Sequence, residues 1–557
     1  MDQKKLADLL FSEELKTPEE YEAMYPLRNL PEGAMVTRLG PSPTGFMHLG
    51  NLYGAFVDER LAHQSGGVFF LRIEDTDDKR FVEGAVEVII SSLDFFGIRF
   101  DEGAGLSGDR GAYGDYTQSR RGPIYRTFVK KLVEEGKAYP CFLTEEEIGQ
   151  IRARQEAEKV TPGIWGEYAV CRDWSLDQVK AALDAGKPFV IRLKSDGVPA
   201  ERCGEAGPRK IRVKDAVRGT LEMPENFMDT VILKQTGIPT YHFAHVVDDH
   251  LMRTTHVVRG AEWLPSLPIH VELFEKLGWD LPVYCHTAQL MKIDEETGKK
   301  RKLSKRKDPE LSLTYYRSQG YHPEAVREYL LTILNSNYEE WRAANPDAPA
   351  EDFPFTTGKM SSSGALFDLN KLNDISKDVL LRIPAEDLYE FLKDWSRDYA
   401  PEYSHLFDDR DYLVKILDLG RHDKKPRKDL VYARQIIRFI SYFFDDLFQP
   451  EDPMPEEAAA DAREILSRYL ASYDHSDDSG EWFGKIRQIA VDLGYAAKPK
   501  DFKKHPEEYK GHVGHVSTVI RIALMGRAQS PDVWTIQQIM GEERTRARIQ
   551  ARLDQEA

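Results

Sequence analysis

Apolar runs and helical apolar periodicity alternate along the chain after residue 34. Short apolar runs predict buried strands at about 35–39 and 68–73, while amphipathic spacing predicts helices over 52–62 and 81–96. This β-α-β-α order favours an α/β fold with a parallel sheet and right-handed crossovers. Because ligands bind at the carboxyl ends of such strands, we expect Arg38 and Glu74 to face one crevice.

The alternation stops near residue 115 and returns later in the chain. An α+β insertion is predicted between the two halves of the sheet, and the sheet pattern is expected to resume with strands at 231–233 and 256–258. The last third reads almost entirely as helices. The predicted regions are a helical extension at 1–34, a first sheet half at 35–115, the insertion at 116–225, a second sheet half at 226–290, a transition region at 291–366 and a helical part at 367–557.

Composition places the chain among soluble globular proteins. It has 557 residues, of which 41% are hydrophobic and 30% charged. No apolar run is long enough for a membrane span, and the amino terminus lacks a signal-peptide core. The four cysteines are far apart in sequence and form no Cys-x-x-Cys pair. We therefore expect a cytoplasmic location, reduced thiols and no structural metal, zinc included.

The net charge of −17 argues at first against a nucleic-acid partner. Net charge governs solubility and long-range attraction, however, and does not decide what one face binds. Residues 299–307 contain seven basic side chains in nine positions. A solvated loop is the usual interpretation of such a run.

The segment from Arg38 to Asn51 joins the first predicted strand to the first helix and contains two prolines and three glycines. Backbone N–H groups at a helix start have no intrahelical acceptor and attract phosphate, and His48 can add a donor. Gly50 allows a bulky ligand to approach the backbone. Alone, the sequence His48 to Asn51 is also typical of an ordinary helix start.

The longer pattern, Arg-Leu-Gly-Pro-Ser-Pro-Thr-Gly-Phe-Met-His-Leu-Gly-Asn, resembles the nucleotide-binding signature of class I aminoacyl-tRNA synthetases, in the form typical of the bacterial glutamyl-tRNA synthetases. Gly40 replaces the usual alanine of that family, a change expected to leave the loop undisturbed. Lys302-Leu303-Ser304-Lys305-Arg306 is similar to the family's mobile lysine loop. The resemblance implies catalytic roles for His48, Lys302, Ser304 and Lys305, and ATP binding by Ser42, His48, Gly50, Asn51, Glu262, Leu303 and Lys305.

Glutamate carries two carboxylates and an ammonium group, which call for arginines and an acidic residue. The resemblance assigns glutamate binding to Arg38, Ser42, Glu74, Tyr241, His245 and Arg259, and it places Trp263 beside the tRNA acceptor end. His245 stands where the family often has asparagine, so a structural role is equally open. A second segment, residues 359–363, looks like a lysine loop but lacks a second lysine, and we interpret it as a linker.

These resemblances imply a Rossmann-type catalytic sheet, an inserted domain that holds the acceptor end and an all-α anticodon-binding region. The expected reaction joins glutamate to tRNA(Glu) through a glutamyl-adenylate, with ATP and Mg²⁺, in a monomeric enzyme without a membrane partner. A nucleotidyltransferase that does not use tRNA and a non-catalytic RNA-binding protein are the alternatives. The use of tRNA(Gln) and the anticodon contacts stay open.

Overall fold

The computed structural model describes residues 2–44, 47–77 and 82–555. The chain divides into two compact units: Met1–Tyr315 with Arg327–Asp368, and Tyr316–Val326 with Leu369–Ala557. No described helix has both the length and the apolar character needed to cross a membrane.

The first unit begins with two short helices and the first strands of a parallel sheet. β1 pairs with β2 and β2 with β3, all in parallel. Gly67 precedes β2 and must be glycine, because a Cβ there would lie 1.9 Å from the Met35 carbonyl oxygen. The elements are α1 (Gln3–Leu10), α2 (Pro18–Met24), β1 (Val36–Leu39), α3 (Leu49–Gln64), β2 (Val68–Leu71), α4 (Ala85–Phe95) and β3 (Glu102–Gly103).

The middle of the chain contributes strands to two different sheets. The elements are α5 (Gly122–Glu134), β4 (Ala138–Cys141), α6 (Glu145–Glu158), α7 (Leu176–Asp184), β5 (Val190–Leu193), β6 (Lys210–Asp215), β7 (Gly219–Pro224), β8 (Val231–Leu233) and α8 (Tyr241–Leu251). β4, β5 and β8 form an antiparallel sheet of their own.

The rest of the first unit completes the parallel sheet and adds a small mixed sheet. β9 pairs in parallel with β10, and β11 pairs with both β12 and β13. The elements of this stretch are β9 (His256–Gly260), α9 (Leu267–Leu277), β10 (Val283–Thr287), β11 (Leu290–Ile293), β12 (Lys300–Lys302), α10 (Leu313–Gln319), α11 (Pro323–Leu334), α12 (Tyr338–Ala344) and β13 (Ala365–Leu366). The end of α10 and the start of α11 belong to the second unit.

The two halves of the parallel sheet meet at β1 and β9, where the Thr255 N–H donates to the Val36 carbonyl at 2.9 Å. The far edge is extended by the β6–β7 hairpin, because β6 runs parallel to β10. Two expectations were therefore wrong. The strand at 231–233 pairs with β5 in the inserted sheet, whereas the hairpin at 210–224 joins the large sheet. An apolar run predicts a buried strand but does not specify its partner.

The second unit is helical. Its helices enclose an apolar core that includes Leu392, Ile436, Leu466, Ile486 and Val516. Their bounds are α13 (Leu369–Arg382), α14 (Ala385–Tyr399), α15 (Arg410–Asp418), α16 (Ala433–Ile440), α17 (Ala462–Ser472), α18 (Ser479–Asp492), α19 (Pro499–Lys504), α20 (Val513–Met525), α21 (Val533–Met540) and α22 (Glu542–Gln555).

Candidate active site

The loop between β1 and α3 places His48 at the amino-terminal cap of the helix. The Asn51 side chain accepts a hydrogen bond from the His48 backbone N–H at 3.1 Å. A Cβ on Gly50 would lie 3.1 Å from His48 Nδ1, so the glycine leaves room for the imidazole. Ser42 lies exposed in the same loop, whereas Gly45 and Phe46 fall outside the described residues.

The basic run forms one strand and the loop that follows it. Lys302 ends β12, Leu303 is buried, and Lys305 lies exposed in the following turn. The buried Asp308 carboxylate closes this turn by accepting the Ser304 N–H at 2.8 Å and two guanidinium N–H groups of Arg301 at 2.6 and 2.8 Å. The loop is therefore fastened at its base, and its lysines face outward.

The lysine loop and the helix start lie in one site. Shortly after the loop, Ser312 forms a β-bridge with His48, and the Leu313 N–H donates to the Met47 carbonyl at 3.2 Å. Burial lowers the pKa of His48, and the positive charge of Lys305 lowers it further, as does that of Lys302 to a smaller extent. Glu262 opposes this shift, so its carboxylate also acts on the imidazole.

Beside this site, two arginines and two carboxylates form a buried network. Arg38, in β1, donates through Nε to Asp249 Oδ1 at 3.1 Å. Arg72 donates to Asp249 Oδ1 at 2.7 Å and to Glu74 Oε1 at 2.8 Å. Burial alone would raise the pKa of Asp249, but Arg38 and Arg72 hold it well below its usual value. Burial raises the pKa of Glu74, although both arginines act in the opposite direction.

Gly40 has a steric role that the sequence did not suggest. A Cβ at this position would lie 2.3 Å from Glu74 Oε1, so an alanine would force the carboxylate to move. The three nearest contacts fall on the Glu74 side chain and not on an atom of the loop, so the expectation that this position leaves the loop undisturbed stays a prediction. The carboxylate of Glu74 lies directly against the backbone of this loop, and the Glu74 N–H donates to the Pro41 carbonyl at 3.0 Å.

The predicted residues of the second sheet half gather around Tyr241. Its ring lies 4.7 Å from that of the partly exposed Trp263 and stacks on His245 at 5.8 Å, centroid to centroid. Burial raises the pKa of Tyr241, and Glu74 raises it further, while the charges of Arg259 and Arg38 oppose the shift. Tyr241 therefore lies among the groups proposed to hold the amino acid.

His245 is fully buried, with Nδ1 2.6 Å from Asp249 Oδ2 and Nε2 3.3 Å from the Tyr284 hydroxyl. Burial lowers its pKa to about 4 despite the neighbouring carboxylate. The side chain is thus neutral at physiological pH. Because the ring has no exposed surface, we interpret His245 as a support for Tyr241 and Asp249, and a direct glutamate contact stays a prediction.

Comparison with known proteins agrees with this geometry. Residues 34–374 match the family described as tRNA synthetases class I (E and Q), catalytic domain, and residues 388–553 match an anticodon binding domain. The glutamate–tRNA ligase of Acetivibrio thermocellus is 62% identical over 553 residues, which cover 99% of this chain and 100% of that protein. The chain belongs to the class I tRNA synthetases of the E and Q group.

Two further proteins, one compared by sequence and one by structure, are also similar to this synthetase over most of its length. The glutamate–tRNA ligase of Clostridium perfringens strain 13 is 48% identical, covering 99% of this chain and 100% of that protein. A crystal structure described as a glutamate tRNA ligase from Elizabethkingia meningosepticum in complex with its amino acid superposes with a TM-score of 0.71 at 27% identity. That match covers 93% of this chain and 99% of the other.

Several residues that organise the synthetase site were missed in the sequence. Asp249 holds both Arg38 and Arg72, and the adjacent Asp248 accepts from Arg121 Nε at 2.7 Å. Asp308 fastens the lysine loop. The acid pair within the otherwise apolar turn of α8 was an available signal, since two buried carboxylates require cationic partners.

Two further predictions for this synthetase concern the second lysine segment, residues 359–363, and the cysteines of the predicted insertion. Lys359 ends a short 3₁₀ turn and lines an open groove of about 430 Å³ together with residues 332–334 and 336. Cys141 and Cys171, which are far apart in sequence, lie in one small buried core. The interpretation of residues 359–363 as a linker and the absence of structural zinc stay predictions.

Proposed function

We propose that this protein attaches L-glutamate to tRNA(Glu) and converts ATP to AMP and pyrophosphate. The full-length similarity to glutamate–tRNA ligases supports the substrate, and the match to an anticodon binding domain supports a tRNA partner. The observation that carries the proposal is the convergence of the helix start at His48 with the loop that contains Lys305. Residues far apart in sequence form one cationic site for a triphosphate.

In the first step, an oxygen of the glutamate α-carboxylate attacks the α-phosphorus of ATP, and pyrophosphate leaves. Negative charge develops on the phosphate oxygens. Lys302 and Lys305 would meet that charge from the loop, with Ser304 as a further donor, and His48 would meet it from the helix start. Mg²⁺ would bind together with ATP, and the phosphates and water molecules would supply most of its ligands.

Glutamate would lie between the first and second sheet halves. Arg259 and Arg38 would receive its carboxylates, and Glu74 would receive its ammonium group, which keeps that carboxyl ionised. Tyr241 would line the pocket between them. Ser42 and Asn51 would contact the ligands from the exposed loop and the first helical turn, and Gly50, Glu262 and Leu303 would border the nucleotide.

In the second step, the terminal ribose 2′-hydroxyl of tRNA attacks the carbonyl carbon of the adenylate, and AMP leaves. Trp263 would border the acceptor end, since it lies partly exposed against Tyr241. We expect the enzyme to be monomeric and cytoplasmic. tRNA affinity should fall steeply with salt, because contacts to backbone phosphates release condensed counterions.

The test is ATP–pyrophosphate exchange with glutamate, measured with and without tRNA(Glu), followed by charging of tRNA(Glu) and tRNA(Gln) separately. We expect exchange that depends on glutamate and tRNA. His48→Ala and Lys305→Ala should each lower exchange about a hundredfold while the melting temperature stays close to that of the wild type. Exchange without tRNA would favour another nucleotidyltransferase, and no exchange under either condition would refute the proposal.

A further inference from the structure

Arg259 is held by histidines rather than by carboxylates. It is only 8% exposed, and its Nε donates to His286 Nε2 at 2.9 Å. Its Nη1 lies 2.9 Å from His270 Nδ1. Within the described part of the chain, no ion pair joins Arg259 to an aspartate or glutamate, in contrast to Arg38, which is paired with Asp249. A buried guanidinium without a counter-ion favours the arrival of an anion.

The arginine dictates the protonation of its neighbours. Because a guanidinium only donates, His286 Nε2 and His270 Nδ1 must both offer lone pairs. The proton of His286 is then on Nδ1, which lies 2.7 Å from Asp215 Oδ2. The proton of His270 is on Nε2, 3.0 Å from His242 Nδ1. Two neutral imidazoles in fixed tautomers therefore hold the guanidinium from two sides.

The orientation leaves one edge of Arg259 for a ligand. The Tyr284 ring covers one face, 4.6 Å from the guanidinium carbon. Nη2 is buried without a hydrogen-bond partner among the described residues. The Tyr241 side chain lies close enough to Arg259 for the guanidinium to lower the pKa of its hydroxyl. Nη2 and the second N–H of Nη1 form the pair of parallel donors that a carboxylate accepts bidentately.

We propose that His286 and His270 are positioning residues that aim Arg259 at a carboxylate of the amino-acid substrate. This inference rests on the proposed function. Asp215 anchors the arrangement, since it also accepts the Val217 and Arg218 N–H groups at 2.9 and 2.8 Å. The guanidinium is thereby fixed before the substrate enters, which lowers the ordering cost of binding.

Proton uptake by either histidine would replace an acceptor with a donor and place two cations together. His270 faces His242, His245, Arg259 and Asp249. Burial lowers its pKa well below the usual value, and the neighbouring histidines and Arg259 lower it further, while Asp249 opposes the shift. His286 faces Asp215, Arg259 and Arg218, and burial lowers its pKa in spite of the aspartate. The glutamate KM should therefore stay level across neutral pH and rise only in acid.

The experiment compares His286→Asn with His286→Gln in the full-length enzyme. Asparagine can donate to Asp215 from the position of Nδ1 but cannot reach Arg259, whereas glutamine can place an acceptor near the position of Nε2. His256→Asn is the matched control, because His256 lies on β9 and bonds Thr255 at 2.9 Å, away from Arg259. Steady-state charging of tRNA(Glu) gives kcat and the KM for each substrate.

We expect His286→Asn to raise the glutamate KM about tenfold, the effect of losing a hydrogen bond to a charged group. The ATP and tRNA KM values should change less than about twofold, and His286→Gln and His256→Asn should resemble the wild type. Equal glutamate KM values for the Asn and Gln variants would overturn the inference. If His286→Asn does not fold, His270→Gln, which retains an acceptor, must show a smaller glutamate KM than His270→Leu for the inference to stand. A wild type that charges no tRNA(Glu) would instead refute the proposed function.

Discussion

The turn that presents Lys305 depends on one carboxylate, and its removal offers a sharp test of the site. Asp308 is 2% exposed and accepts both Arg301 guanidinium N–H groups and the Ser304 N–H. Arg301, together with the Ser304 N–H, holds the pKa of Asp308 at about 2, although burial opposes the shift. We expect Asp308→Asn to keep the bond from Ser304 and lose the bidentate ion pair.

The lowered pKa of Asp308 sets the size of the effect expected for Asp308→Asn. A fall from 3.8 to about 2 corresponds to about 2 kcal/mol of stabilisation of the ionised group. Because the folded pKa is lowered, this contribution is fully present above pH 3.8 and disappears only as the pH falls through about 2. At neutral pH the ionised Asp308 therefore contributes this stabilisation in full. If the whole of this stabilisation serves to order the loop, Asp308→Asn should lower the rate of adenylate formation by at most about thirtyfold.

The assay is ATP–pyrophosphate exchange with saturating tRNA and glutamate, alongside thermal unfolding. We expect Asp308→Asn to lose about tenfold or more in exchange rate. Glu295→Gln removes one negative charge from the exposed turn of the same hairpin and is the matched control. Exchange at the wild-type rate in Asp308→Asn, or an equal loss in Glu295→Gln, would refute the link between the carboxylate and the loop.

Three further predictions follow from buried charges and the two lysine segments. Asp249→Asn should destabilise the first unit by about 3–5 kcal/mol, because it leaves two buried arginines without their shared anion, and its glutamate KM should rise; an unchanged melting temperature would contradict this. Burial raises the pKa of Asp58 well above 3.8, so the wild type loses stability as the pH rises from 3.8 towards the raised value. Asp58→Asn should therefore gain more in melting temperature at pH 8 than at pH 5, and an identical gain at both would count against it. Lys305→Ala should lower exchange about a hundredfold while Lys359→Ala leaves it near the wild-type rate, and the reverse result would move the catalytic loop to residues 359–363.

The sequence was most informative where a local pattern carries its own geometry. The parallel strands at β1 and β2, the helix after His48 and the basic loop were predicted because alternating apolar runs and helix-start residues act locally. The helical last third was predicted for the same reason. Arg259 was placed at the end of a strand, and in the structure it lies within β9, one residue before its end.

The partners of these residues could not be predicted in the same way. Asp249 lies 211 positions from Arg38, and no spacing rule joins them. His286 and His270 look like ordinary buried histidines until the structure brings them to Arg259. The closeness of Gly40 to Glu74 likewise arises from two strand ends that meet in space. Long-range contacts of this kind depend on topology, which a single sequence constrains weakly.

The β6–β7 hairpin has a consequence for the modular dissection of this chain. Its last residue before the turn, Asp215, contacts His286 and through it Arg259, which is proposed to hold the substrate carboxylate. Removal of residues 116–225 as one block would therefore take away an anchor of the proposed glutamate pocket along with the part proposed to hold the tRNA acceptor end. A minimal activating fragment would need to splice around residues 210–224 and leave them attached to the edge of the large sheet.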